Sequence, residues 1–150
     1  MKSFHLIILV LLSCSSLLGQ ERYVEIDGQK FRTKIFGEGN ITVIFECGMS
    51  DSLEQYKSIP DSVARFVRVF LYDRADIGKS DTSRQPRTIP NMVSELRMIL
   101  SHEKINPPYV LVGHSLGGFI LRYFTDSYPD EVTGMLNLKA TTMSTRNILS

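Results

Sequence analysis

Cysteine is scarce in this chain of 150 residues, an excess of either charge sign is missing, and no apolar run is long enough to cross a bilayer. Each shortage excludes something. Two cysteines, Cys14 and Cys47, cannot build a disulfide framework, so an apolar core has to hold the fold. Seventeen Lys and Arg against sixteen Asp and Glu leave +1, which removes any bulk electrostatic case for nucleic acid or an acidic partner. The stretch Phe4 to Leu12 has nine residues, against the roughly 20 that a transmembrane helix needs. Internal repeats, low-complexity tracts and interdomain linkers are missing too. What remains, 43% hydrophobic and 22% charged, is the composition of one ordinary globular domain.

The first 19 residues stand apart from that domain. Lys2, the apolar stretch to Leu12 and the small residues Ser13 to Gly19 have the order of an export signal. Cleavage after Gly19 would release a chain starting at Gln20, bound for a bacterial periplasm or the exterior. Leu11-Leu12-Ser13-Cys14 offers an alternative, since it resembles a lipobox in which Cys14 is the anchor of an outer-membrane lipoprotein. Either outcome leaves Cys47 as the lone thiol of the domain that begins at residue 20.

Along that domain the hydrophobic period alternates between strand and helix. Tyr23 to Ile26 and Phe31 to Phe36, separated by Asp27-Gly28, predict a hairpin. Ile41 to Phe45 predicts a buried strand, and Leu53, Tyr56, Val63 and Phe66 predict a helical face over 52–66 that Pro60 interrupts. A further strand ends at Asp73-Arg74, and residues 78–90 have loop composition. Met92, Val93, Leu96, Ile99 and Leu100 predict an amphipathic helix. Tyr109 to Val112 is a strand, and the helix after Ser115 is expected to turn Phe119, Ile120, Tyr123 and Phe124 to the core. Gly134 to Leu138 is the last strand. Strands alternating with helices after a hairpin indicate an α/β fold, with an antiparallel start and a mostly parallel sheet carrying crossover helices.

Chemistry concentrates in Gly113-His114-Ser115-Leu116-Gly117-Gly118, placed between a strand and a helix. A serine in so sharp a turn needs flanks without bulk, and Gly113 and Gly117 supply them. The helix that follows points its first N–H groups at any negative charge developing on the substrate. A phosphate cradle is excluded, because Gly78-Lys79-Ser80 has Asp73 where a P-loop requires glycine.

With these residues in view, the chain resembles the N-terminal portion of an α/β-hydrolase fold protein. The likeness is carried by Ile41 to Met49, by the segment Tyr72-Asp73-Arg74-Ala75-Asp76-Ile77-Gly78-Lys79-Ser80, by the elbow Val112 to Gly118, and by Tyr128 to Val132. It implies Ser115 as the acyl-accepting nucleophile, with the backbone N–H groups of Leu116 and Met49 as oxyanion-hole donors. It implies a small-molecule ester, amide or similar acyl substrate, and no metal or organic cofactor.

The sequence departs from the family pattern in places. Cys47-Gly48 follows an acidic strand end, Glu46, in place of a His-Gly start. Asp76 stands where glycine is usual, and Lys139 where relatives often have an acid. Cys47 reads as a small buried hydrophobe. His114 reads as a packing residue turned away from the serine, His102 as part of a solvated helix end, and His5 as part of the signal. The acid and histidine that follow the serine in this family are not found before Ser150, and no histidine occurs after His114. Two expectations follow: a truncated hydrolase whose sheet is incomplete on its C-terminal side, or a non-catalytic binding or assembly protein that keeps the scaffold.

Overall fold

The computed structural model describes residues 19–56 and 58–138. The signal, Cys14 and Lys139 therefore lie outside the described residues, apart from Gly19. No helix among the described residues is long and apolar enough to cross a membrane.

The chain begins with β1 (Gln20–Ile26) and β2 (Gln29–Phe36), antiparallel and joined by Asp27-Gly28. Both turn residues have positive φ, 51° and 72°, as a two-residue primed turn demands. Arg84 closes the turn from outside, donating to the carbonyls of Asp27 (2.6 Å) and Gly28 (2.9 Å).

Next come β3 (Thr42–Glu46), β4 (Arg68–Tyr72), β5 (Tyr109–His114) and β6 (Val132–Leu138). The six strands form one sheet in the order β1-β2-β4-β3-β5-β6. β2 meets β4 antiparallel, and every pairing from β4 through β3 and β5 to β6 is parallel. The expected α/β architecture, hairpin first and parallel sheet after, is the one observed.

Alternation in the central strands divides the core between the two faces. Ile44, Phe70, Tyr72 and Leu111 pack on one side under α2 (Ile89–His102) and α3 (Leu116–Ser127). Val43, Phe45, Val69, Leu71 and Val112 pack on the other with Leu53 and Tyr56. A strand buried on both faces reads as a continuous apolar run, which is why β3 and β4 carry so little polarity.

Two helical expectations need correction. The span 52–66 is not one helix: Leu53–Tyr56 is a single 3₁₀ turn, and α1 (Ile59–Val63) starts afresh with Pro60 in its first turn, where a missing N–H costs nothing. Phe66 lies beyond α1 and is 79% exposed instead of sharing the buried face. In α3 the buried set is Gly117, Gly118, Ile120, Leu121 and Phe124, while Phe119 (68% exposed) and Tyr123 (43%) face outward. The helix has rolled so that its glycines, not Phe119, meet the sheet.

Candidate active site

Ser115 occupies the junction of β5 and α3 with φ 51° and ψ −119°. That conformation lies outside even the left-handed helical well, and holding a non-glycine residue there costs about 1–3 kcal/mol. Close packing on both sides enforces it. A Cβ on Gly113 would stand 2.8 Å from the backbone of Gly118, and one on Gly117 would overlap the carbonyls of Glu46 and Cys47. A Cβ on Gly118 would stand 2.5 Å from the Asn137 amide of β6. The elbow is thus pressed against the ends of β3 and β6, and its serine remains exposed.

β3 and β5 are parallel neighbours with Glu46 opposite Gly113, so the loop after β3 emerges beside the elbow. Arg74 organises that loop. Its buried guanidinium pairs with the Glu46 carboxylate and donates to the carbonyls of Cys47 (2.8 Å), Gly48 and Met49 (3.3 Å). In a trans peptide the C=O and N–H point in opposite directions. Drawing the Gly48 carbonyl to Arg74 therefore turns the Met49 N–H away from it.

The other Glu46 oxygen accepts the Tyr72 hydroxyl, and Tyr56 donates to the Glu46 backbone carbonyl at 2.7 Å. Burial pushes the Glu46 carboxyl above the ordinary carboxylate range, while Arg74 and the Tyr72 hydroxyl pull it back. The same burial, with the Glu46 charge adding to it, pushes the Cys47 thiol well up. A thiol so placed is not a thiolate at neutral pH, and its Sγ is committed to the Ser52 carbonyl at 3.0 Å.

The sequence profile describing the alpha/beta hydrolase fold matches residues 40–149, well over half of the chain. The chain belongs to the α/β hydrolase fold family. YqjL of Bacillus subtilis (strain 168) is 35% identical to it over 119 residues, which cover 79% of this chain and 47% of YqjL. YbdG of the same organism is 28% identical over 122 residues, covering 80% and 38%. The chain thus spans less than half the length of these relatives.

Among solved structures, Cfl2 from Burkholderia cenocepacia superposes with a TM-score of 0.75 at 21% identity, over 83% of this chain and 42% of Cfl2. That likeness is one of fold. Est816, described as an N-acyl homoserine lactone degrading enzyme, gives a TM-score of 0.71 at 26% identity, over 78% and 44%.

Within this hydrolase fold, Ser115, Leu116 and Met49 are brought to one end of the sheet by the β3–β5 pairing. Met49 is exposed and Leu116 half-buried. The Gly48 N–H is taken by Gln55 Oε1 at 3.1 Å, which leaves Met49 with the uncommitted amide of the pair among the described residues.

His114 turns its ring to that loop, with Nδ1 2.6 Å from Gln55 Nε2 and 4.0 Å from Asp51 Oδ2. Asp76 adopts φ 69° without glycine, its carboxylate accepting the Ser83 N–H at 2.9 Å. A surface cavity of about 360 Å³ lies elsewhere, between the β1–β2 turn and α2, lined by Ile26, Gln29, Arg84, Arg87 and Glu95 among others; Ser115 does not line it.

Sequence reasoning missed the Glu46–Arg74 pair and Gln55. An acid and an arginine at the ends of two apolar runs were a usable signal for the pair, because buried charges need partners. Gln55 gave none.

Proposed function

We propose that this α/β hydrolase cleaves an ester, amide or similar acyl bond with Ser115 as nucleophile. The observation that carries the reading is the strained, exposed backbone of Ser115 between β5 and α3. In this scheme the Ser115 oxygen adds to the acyl carbonyl while its proton passes to a base and on to the alcohol or amine, which leaves as the tetrahedral intermediate collapses; water then cleaves the acyl-serine, releasing the acid and restoring the hydroxyl. The Leu116 and Met49 N–H groups meet the oxyanion, each worth roughly 3 kcal/mol in the transition state. The description of Est816 as a lactone-degrading enzyme is consistent with an ester-type bond as substrate. Export through residues 1–19 is the proposed address.

The base is the open requirement of this scheme. His102 stands at the exposed end of α2 and the His114 ring faces Gln55, so neither is set to take the Ser115 proton. Without a base, an oxyanion hole and binding leave roughly 10³- to 10⁴-fold acceleration over water.

A fluorophosphonate probe, followed by peptide mass mapping, tests the nucleophile. Labelling at Ser115, abolished in Ser115→Ala, is expected. Equal labelling of both proteins would remove Ser115 from the scheme and leave the scaffold as a binding or assembly protein. The intact mass of the same preparation reads the address: a mature chain starting at Gln20 supports export with cleavage, and one starting at a lipid-modified Cys14 supports the anchor.

A further inference from the structure

We propose that Gln55 is a positioning residue which ties the oxyanion-side loop to His114 and makes that loop sensitive to the protonation of His114. The meaning of this for catalysis rests on the serine-hydrolase reading above; its existence rests on two contacts. The Gly48 N–H can only donate, and it donates to Gln55 Oε1 at 3.1 Å. That fixes the orientation of the amide, so its NH₂ group is the one facing His114 Nδ1 at 2.6 Å. An NH₂ group can only donate as well, so Nδ1 must offer a lone pair. His114 in this arrangement is the neutral ring with its proton on Nε2.

Protonation sets two donors face to face, because an imidazolium carries N–H on both nitrogens. Two exits exist, and each breaks the relay. The Gln55 amide can turn over, presenting NH₂ to the Gly48 N–H. Alternatively the ring can swing towards Asp51 Oδ2, now 4.0 Å away, leaving Gln55 without its acceptor.

Among the described residues, Asp51 is the carboxylate that stands ready to answer a charged ring. β3 contributes Glu46, already paired with Arg74, and Cys47 beyond it holds a buried neutral thiol. The first turn of α3 and all of β6 contain no ionisable side chain. A Cβ on Gly48 would stand 2.7 Å from Asp51 Oδ2 and 3.0 Å from His114 Nδ1, so either side chain would have to shift to admit one. The contact spans the two segments that carry the proposed oxyanion donors, His114 preceding Ser115 and Gly48 preceding Met49.

The relay can be read by NMR on the ¹⁵N-labelled full chain without any turnover. Long-range ¹H–¹⁵N correlation of the His114 ring is expected to show the Nε2–H tautomer on the basic side of its titration, and the Gly48 amide resonance is expected to move with the same midpoint. In Gln55→Leu the Gly48 amide should lose that titration while His114 still titrates. In Gln55→Glu a carboxylate accepts from both the Gly48 N–H and a protonated Nδ1, so the His114 titration should shift to higher pH. A Nδ1–H tautomer, or a Gly48 amide indifferent to His114 in the unmodified protein, would overturn the proposal. Ser115→Ala should leave the coupled titration unchanged, so loss of the nucleophile reading and loss of the relay are separate outcomes.

Discussion

Arg74 shows how much of this site hangs on one side chain. Its guanidinium meets four acceptors, the Glu46 carboxylate and three successive carbonyls, and both charged side chains of the pair are buried. Removing one partner of a buried pair leaves an uncompensated charge, which typically costs about 3–5 kcal/mol. Arg74→Met is therefore expected to lose about that much in urea unfolding. The double variant Glu46→Leu/Arg74→Met should recover part of the loss, because the stranded carboxylate is gone while the three carbonyls remain unpaired. A single variant within about 1 kcal/mol of the unmodified protein would show that water reaches Glu46 and that the pair is not buried in solution. Arg74→Lys is no conservative change here, since a point charge lacks the planar fork that reaches several acceptors. The sequence displayed Glu46 and Arg74 as charges at strand ends but not their meeting. That meeting depends on β3 and β4 being parallel neighbours, which no local pattern encodes.

At the scale of the element, legibility depended on whether a segment had a polar side. α2 did, and its five marked positions, Met92, Val93, Leu96, Ile99 and Leu100, are all buried. The β1–β2 hairpin was equally plain, because Asp-Gly states its own backbone geometry. α3 is apolar around most of its first two turns, so periodicity could not choose between faces. Close packing of Gly117 and Gly118 on the sheet chose, bringing Ile120, Leu121 and Phe124 inward and leaving Phe119 outside. The energetic consequence is asymmetric. Leu121→Ala should cost about 2–5 kcal/mol through lost burial and the cavity left behind. Phe119→Ala, although it deletes a larger side chain, should stay within about 0.5 kcal/mol. Thermal unfolding followed by circular dichroism separates the two, and a larger loss for Phe119→Ala would mean that something covers that face in solution.

Across the whole molecule, the parallel strands place the proposed chemistry at their carboxyl ends, as open α/β sheets do. β3 supplies the loop with Met49 and β5 supplies Ser115, because these two strands are neighbours although 62 residues of chain run between Glu46 and Tyr109. The order of the sheet was not readable from hydrophobic period, which identifies strands without pairing them. That order also predicts where the molecule is strongest. β3, β4 and β5 have a hydrogen-bonded neighbour on both sides, and most of their apolar residues are buried, whereas β1 and β6 are the outer strands among the described residues and Leu136 of β6 is 55% exposed. Amides that open only with global unfolding should therefore cluster in β3, β4 and β5, with β1 and β6 exchanging through cheaper local openings. Native-state hydrogen exchange measures this directly. If β6 amides were as protected as those of β5, the β6 edge would have to be covered in solution by another segment or another chain, because an uncovered edge strand leaves a row of backbone groups open to water.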